Sequence, residues 1–153
     1  MASYRDRAAV FEQPDDDNLE TAVDLAAKAL VADPGLAGIF CSDASNPFGA
    51  ARTVVNAGKV GRVSIVGMDD LQETLTCIED GVIAGVKAQH QWEVGDWAVK
   101  YLVAMNHKVP REHATGSQML TKAELAGWRQ SAQGDRRDRC PRRRTPAPPP
   151  NLP

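Results

Sequence analysis

The sequence is poor in aromatic residues and has no long apolar segment. Aromatic residues make up 5% of its 153 residues, and no apolar run approaches the roughly 20 residues of a membrane-spanning helix. Residues 1–7 also lack the apolar centre of a secretory signal. We therefore expect no direct membrane insertion, and the chain as written is expected to stay in the cytoplasm.

The few cysteines are spaced in a way that excludes two common scaffolds. Cys41, Cys77 and Cys140 lie far apart and form no Cys-x-x-Cys pair. Neither a structural zinc site nor a disulfide framework is indicated. The three histidines share no metal-ligand spacing either. We expect no metal and no other cofactor.

Motifs of common enzyme classes are absent as well. The sequence contains no Gly-x-Gly-x-x-Gly, no Gly-x-x-x-x-Gly-Lys-Ser/Thr and no Gly-x-Ser-x-Gly. No cysteine and histidine are placed together for nucleophilic catalysis. These absences favour a binding protein over an enzyme, although a fold class by itself determines neither.

Charge is distributed unevenly along the chain. The formal net charge is −2, yet residues 129–153 hold seven arginines against two aspartates, which leaves −7 on the remainder. We expect residues 126–153 to be disordered, because this Arg- and Pro-rich tail cannot bury enough apolar surface to offset its ordering entropy. Without interleaved aromatic residues, the tail indicates a solvated extension or a displaced reading frame. Nucleic acid is not an expected partner.

Short apolar runs alternate with segments whose apolar residues recur every three or four positions between residues 8 and 121. This alternation predicts an α/β fold with a Rossmann-like parallel sheet flanked by helices. Strands are expected at residues 8–11, 36–41, 63–66 and 82–88, with a short strand at 118–121. The strand at 36–41 is expected to be buried. Helices are expected between the strands, and a last one at about 94–105.

Polar residues mark the expected helix starts. Asp15, Asp16, Asp17 and Asn18 all offer caps for the first helix. Asn46 with Pro47 at the first helical position predicts the start of the second. Asp70 directly precedes Leu71 and is the better cap for the third helix, which would leave Asp69 free to face a cleft.

The loops that follow the predicted strands are the expected ligand site, because ligands of open parallel sheets bind beyond the carboxyl ends of the strands. These loops carry Asp43, Asp69 and Gln89. Their carboxylates and amide suit the hydroxyl groups of a polyol. Structural roles remain open for each: an Asx turn for Asp43, a helix cap for Asp69 and an exposed amide for Gln89.

Several motifs together carry a family resemblance. Residues 34–40, the segment Val63 to Asp69 with its Gly-Met-Asp, Ile78-Glu79-Asp80-Gly81 and Ala88-Gln89 stand in matching order and spacing. The sequence from about residue 8 to 122 resembles the C-terminal half of the ribose-binding type of periplasmic sugar-binding proteins of ABC transporters.

The resemblance implies a two-lobed receptor that closes on a monosaccharide or related polyol and signals to a transporter permease. Residues 1–125 would form one lobe, with residues 90–121 crossing back toward an absent first lobe. Asp43, Asp69 and Gln89 would contact the sugar, and the location would be periplasmic. The helix around Trp97, lacking the sheet it normally covers, would expose an apolar face.

Two other interpretations are weighed against a truncated sugar receptor. The effector-binding domain of a LacI-type transcription regulator shares the receptor fold, but no helix-turn-helix precedes the predicted sheet. A fragment without activity is the other interpretation, because a single lobe offers one wall of a two-walled cleft.

Overall fold

Helices and strands alternate along the chain in the computed structural model, which describes residues 12–104, 110 and 112–129. The elements are α1 (Leu19–Ala32), β1 (Gly38–Phe40), α2 (Asn46–Asn56), β2 (Ser64–Met68), α3 (Gln72–Glu79), β3 (Gly85–Gln89), α4 (Gln91–Val103) and β4 (Ser117–Leu120). A helical turn follows at residues 125–129. The predicted strand at residues 8–11 lies outside the described residues.

The strands form one sheet in the order β1-β2-β3-β4. β1 and β2 pair in parallel, as do β2 and β3, while β4 runs antiparallel to β3. Val66 links the parallel strands, because it is the partner of Phe40 on one side and of Gly85 on the other. The predicted α/β class is confirmed.

The core lies between one face of the sheet and the helices. Ile65, Val86 and Ala88 are buried, while the neighbouring Ser64 and Lys87 are exposed. This alternation follows from the two-residue period of a strand, which sends successive side chains to opposite faces. The strand residues meet buried residues of the helices and of β4, namely Val54, Leu75, Ile78 and Leu120.

The first two helices begin differently. Of the four candidate caps for the first helix, Asn18 is the one that caps α1, with its Oδ1 accepting a hydrogen bond from Thr21 N at 3.0 Å. The prediction that Asn46 caps the second helix is wrong by one position, because α2 already includes Asn46 and Ser45 precedes it. The amides at this end are satisfied instead by Asp43, three residues earlier.

The start of α3 also differs from the prediction. Leu71 precedes this helix, and no side chain caps it. The prediction that Asp70 is the cap is therefore wrong. Asp70 Oδ2 instead accepts a hydrogen bond from Trp128 Nε1 at 3.2 Å. The carboxylate that the local sequence assigns to the helix start therefore binds a residue that is distant in sequence.

β1 is more exposed than its apolar sequence suggests. Gly38 is exposed and Phe40 keeps 69% of its surface accessible. The expectation of a buried strand is wrong for the structure described, because β1 is the edge strand of the sheet formed by the described residues. An edge strand packs on fewer neighbours than a central one.

α4 contributes nothing to the core. None of its residues is buried, and Leu102 and Val103 are 67% and 81% exposed. The predicted exposed apolar face is confirmed. The helix begins at Gln91, three residues before the predicted start, and the predicted end at Met105 lies outside the described residues. None of the described helices is long and apolar enough to cross a membrane.

The C-terminal part of the described chain returns to the same sheet. Residues 90–121 are expected to cross toward an absent first lobe. Within this range β4 pairs with β3, and Leu120 is fully buried. The crossing of residues 90–121 toward a first lobe stays a prediction. The predicted tail begins at residue 126; of its first residues, Trp128 packs against the core and Arg129 pairs with Glu79 at 3.1 Å. Residues 130–153 lie outside the described chain.

Candidate ligand-binding site

Three strands bring the predicted site residues toward one edge of the sheet. Asp43 lies in the loop after β1, Asp69 directly follows β2, and Gln89 is the last residue of β3. Because these strands are parallel, their carboxyl ends lie at the same edge. That edge is where open α/β sheets present polar side chains to ligands.

The structure brings Asp69 and Gln89 together. Gln89 Nε2 donates a hydrogen bond to Asp69 Oδ1 at 2.8 Å. The pair lies at the solvent-accessible surface of the sheet edge. A carboxylate accepts hydrogen bonds and an amide both donates and accepts them, so the pair offers complementary groups to adjacent hydroxyls.

The backbone of Asp69 is held in an uncommon conformation. Its φ of 63° lies in the left-handed region, which aspartate tolerates better than most residues. Its N–H donates to Lys87 O of the neighbouring strand at 3.0 Å. The chain therefore turns sharply at the end of β2 while Asp69 stays attached to β3, the strand that carries its partner Gln89.

Asp43 serves its own loop. Its Oδ1 accepts hydrogen bonds from the backbone N–H groups of Ser45 and Asn46, each at 2.9 Å, which is the Asx-turn arrangement. The Asn46 side-chain amide donates to its Oδ2. Among the described residues, no hydrogen bond joins Asp43 to Asp69 or Gln89. The structural alternative for Asp43 is therefore present, and its contact with a ligand stays a prediction.

Acidic residues gather around the end of β1. Ser45 Oγ donates to Asp17 Oδ1 at 3.4 Å as well as to Asp43 Oδ1 at 3.2 Å. Burial, together with the nearby charges of Asp43 and Asp15, raises the pKa of the Cys41 thiol to about 12. This thiol is neutral at physiological pH and is unsuited to nucleophilic attack or to metal binding.

Sequence reasoning missed the short helix that carries Trp128. A local signal was available, because Thr121-Lys122-Ala123-Glu124 before Leu125 fits the capping-box pattern. Glu124 Oε2 accepts hydrogen bonds from the Thr121 hydroxyl and from Thr121 N, the latter at 2.9 Å. These bonds, the hydroxyl first, lower the pKa of the Glu124 carboxyl.

Two other features of the described residues bear on the candidate site, namely the grouping of potential metal ligands and the position of a surface groove. Across the described ranges, no group of three His, Cys, Asp or Glu side chains is arranged to hold one. A shallow groove of about 390 Å³ lies elsewhere, beside α2 and close to Cys77, and its lining includes Phe48, Arg52 and Val55. None of the predicted site residues lines it, so the candidate site remains the Asp69–Gln89 pair.

A family model and a curated relative both match the sequence of this chain. The model of the family described as periplasmic binding protein domain matches residues 6–108. The D-allose-binding periplasmic protein of Escherichia coli (strain K12) is 33% identical over 94 residues. That alignment covers 61% of this chain and 30% of the relative, so the chain spans less than a third of that protein.

Solved structures show the same partial overlap. An ABC transporter solute binding protein from Agrobacterium vitis with bound D-fucose superimposes with a TM-score of 0.73 at 25% identity, covering 76% of this chain and 41% of that one. A glucose-galactose binding protein from Geobacillus stearothermophilus gives a TM-score of 0.71 at 25% identity, with coverages of 72% and 40%.

Proposed function

The chain belongs to the periplasmic binding protein domain family, and on that basis we propose that it binds a monosaccharide or a related polyol as part of the substrate-binding component of an ABC transporter. The Escherichia coli relative is named for binding D-allose, and the Agrobacterium vitis structure holds D-fucose. We propose binding without chemical conversion, a periplasmic location and a transporter permease as the downstream partner.

The Asp69–Gln89 pair is the observation that carries this proposal. Its 2.8 Å hydrogen bond orients both side chains before any ligand arrives. Orientation in advance reduces the conformational entropy lost on binding. The carboxylate would accept hydrogen bonds from sugar hydroxyls, and the amide would donate to one oxygen and accept from another. Asp43 is proposed as a third contact, from the adjacent loop.

Affinity is expected to be low for this chain alone. It covers 41% and 40% of the two solved binding proteins, and we expect segments outside the aligned region to supply much of the surface that encloses a sugar. Each lost factor of ten in affinity corresponds to about 1.4 kcal/mol, and the loss of several hydrogen bonds exceeds that amount. We expect a dissociation constant on the order of millimolar.

Ligand-observed NMR of the 153-residue chain tests the proposal at this affinity. D-allose, D-fucose, D-galactose and D-arabinose are titrated against the wild type, Asp69→Asn and Gln89→Ala. Asp69→Asn is chosen because asparagine also tolerates the left-handed backbone, so the charge is removed without added strain. Asp80→Asn is the matched control, because Asp80 ends α3 and precedes the opposite, amino end of β3.

The proposal requires saturable binding of at least one sugar that both site variants abolish and that Asp80→Asn retains. A folded wild-type chain that binds none of the sugars would contradict it and would identify a remnant of the family without its activity. If Asp69→Asn and Gln89→Ala bind the sugar as tightly as the wild type, a sugar is still the ligand. The assignment of the site to Asp69 and Gln89 is then overturned.

A further inference from the structure

Trp128 contacts the neighbours of both members of the candidate pair. Its indole Nε1 donates to Asp70 Oδ2 at 3.2 Å, and Asp70 directly follows Asp69. Its ring centroid lies 6.3 Å from that of His90, which directly follows Gln89. The Trp128 side chain therefore contacts the residues that follow Asp69 and Gln89, at the ends of β2 and β3. Asp69 and Gln89 are 20 residues apart in sequence.

The turn that carries Trp128 is itself firmly attached. Leu125 is buried in the core, and Arg129 pairs with Glu79 at the end of α3. The interlocking bonds of Thr121 and Glu124 close its amino end. Two attachments, the buried Leu125 and the Arg129–Glu79 ion pair, therefore hold the short segment of Trp128 against the rest of the fold.

The two contacted neighbours have little freedom of their own. The His90 ring lies near the backbone of Gly116, where a Cβ atom would stand 3.3 Å from His90 Nδ1. Glu93 Oε1 lies 3.8 Å from the same nitrogen. Asp70 is bonded directly to Asp69, whose backbone is in the left-handed region, and we expect a shift of Asp70 to be passed along the chain to the Asp69 carboxylate.

We propose that Trp128 is a positioning residue that fixes the relative orientation of Asp69 and Gln89 through Asp70 and His90. In this proposal Trp128 acts on the pair through its two neighbours and not through a contact with the ligand. The effect of Trp128 on ligand affinity rests on the proposed function, but its effect on the geometry of the Asp69–Gln89 pair does not. The geometry of the pair can therefore be measured with no sugar present.

The side-chain amide of Gln89 reports on the pair directly. Its signals in the ¹H–¹⁵N spectrum of the full chain are assigned by their loss in Gln89→Ala. Trp128→Phe removes the indole N–H and keeps an aromatic ring, while Asp70→Ala removes the acceptor. We expect both variants to shift the Gln89 amide signals, and the double variant to shift them no further, because both changes break one interaction.

Trp97→Phe is the matched control for the loss of an indole. Trp97 lies on α4 and packs against Tyr101 of the same helix and against His113 in the segment before β4, and none of these ring contacts involves the pair. The Gln89 amide should not move in this variant. A purely structural role for Trp128 would lower the thermal stability of Trp128→Phe while leaving the Gln89 amide unchanged, and that result would overturn the proposal.

Two further outcomes are decisive. If Trp128→Phe fails to fold, the test rests on Asp70→Ala. Unchanged chemical shifts of the Gln89 side-chain amide in Asp70→Ala would overturn the proposal. Where the wild type binds a sugar, Trp128→Phe should raise the dissociation constant by about two- to ten-fold, because one hydrogen bond is lost. A wild type that binds no sugar rejects the proposed function, and the amide shifts then still decide the positioning role.

Discussion

Pro47 lies against the backbone of Gly67 so closely that a Cβ atom added to Gly67 would overlap Pro47 Cγ. Pro47 is fully buried in the first turn of α2, and Gly67 lies two residues before Asp69 in β2. The helix and the strand can approach this closely only because Gly67 has no side chain. The carboxyl end of β2, which carries Asp69, is therefore held against α2.

Gly67→Ala is expected to lower the free energy of unfolding by about 1–3 kcal/mol, the usual effect of overpacking a rigid site. Gly95→Ala is the matched control, because a Cβ atom there meets nothing within 4 Å. Since Gly95 lies inside α4, alanine should stabilise that helix by up to about 1 kcal/mol. Urea unfolding of both variants measures the difference, and equal stabilities would contradict the close contact.

Asp43 is expected to stabilise the start of α2 whether or not it touches a ligand. Asp43→Ala removes the acceptor of two backbone N–H groups and should destabilise the chain by about 1 kcal/mol. Asp43→Asn keeps an acceptor oxygen and should stay close to the wild type. Chemical unfolding separates the two variants, and an equal loss in both would show that the charge, not the cap, matters.

The Cys41 thiol should make the chain less stable at high pH. Its pKa is raised by burial, and further by Asp43 and Asp15, from an ordinary value of 9.0 to about 12. Below pH 9 the thiol is protonated in the folded and unfolded chains alike, and its contribution to stability is complete. Between pH 9 and 12 the unfolded chain alone releases the proton, so stability falls by at most about 1.4 kcal/mol per pH unit.

Cys41→Ala lacks this titration and is the control for it. The difference in unfolding free energy between wild type and variant should shrink as the pH rises from 8 to 10.5. Other groups that titrate in this range are common to both chains and cancel in the comparison. A difference independent of pH would mean that the Cys41 thiol is more accessible than its position in the core indicates.

Much of the fold follows from short-range patterns in the sequence. The alternation of helices and strands, the exposed apolar face of α4 and a first-helix cap within residues 15–18 are all predicted correctly. Periodicity and capping preferences act over a few residues, so a single sequence displays them. The predicted roles of Asn46 and Asp70 fail because other side chains compete for the same groups.

Strand period and turn chemistry are local properties, so the amino-acid sequence alone indicates which polar residues end the strands. Which of these residues meet depends on the three-dimensional fold. Asp69 and Gln89 are 20 residues apart, and Trp128 and Asp70 are 58 residues apart. Contacts at such separations depend on sheet order and register, and on the return of β4 to the sheet. Those choices are made by the packing of the whole core, which no short stretch of sequence encodes.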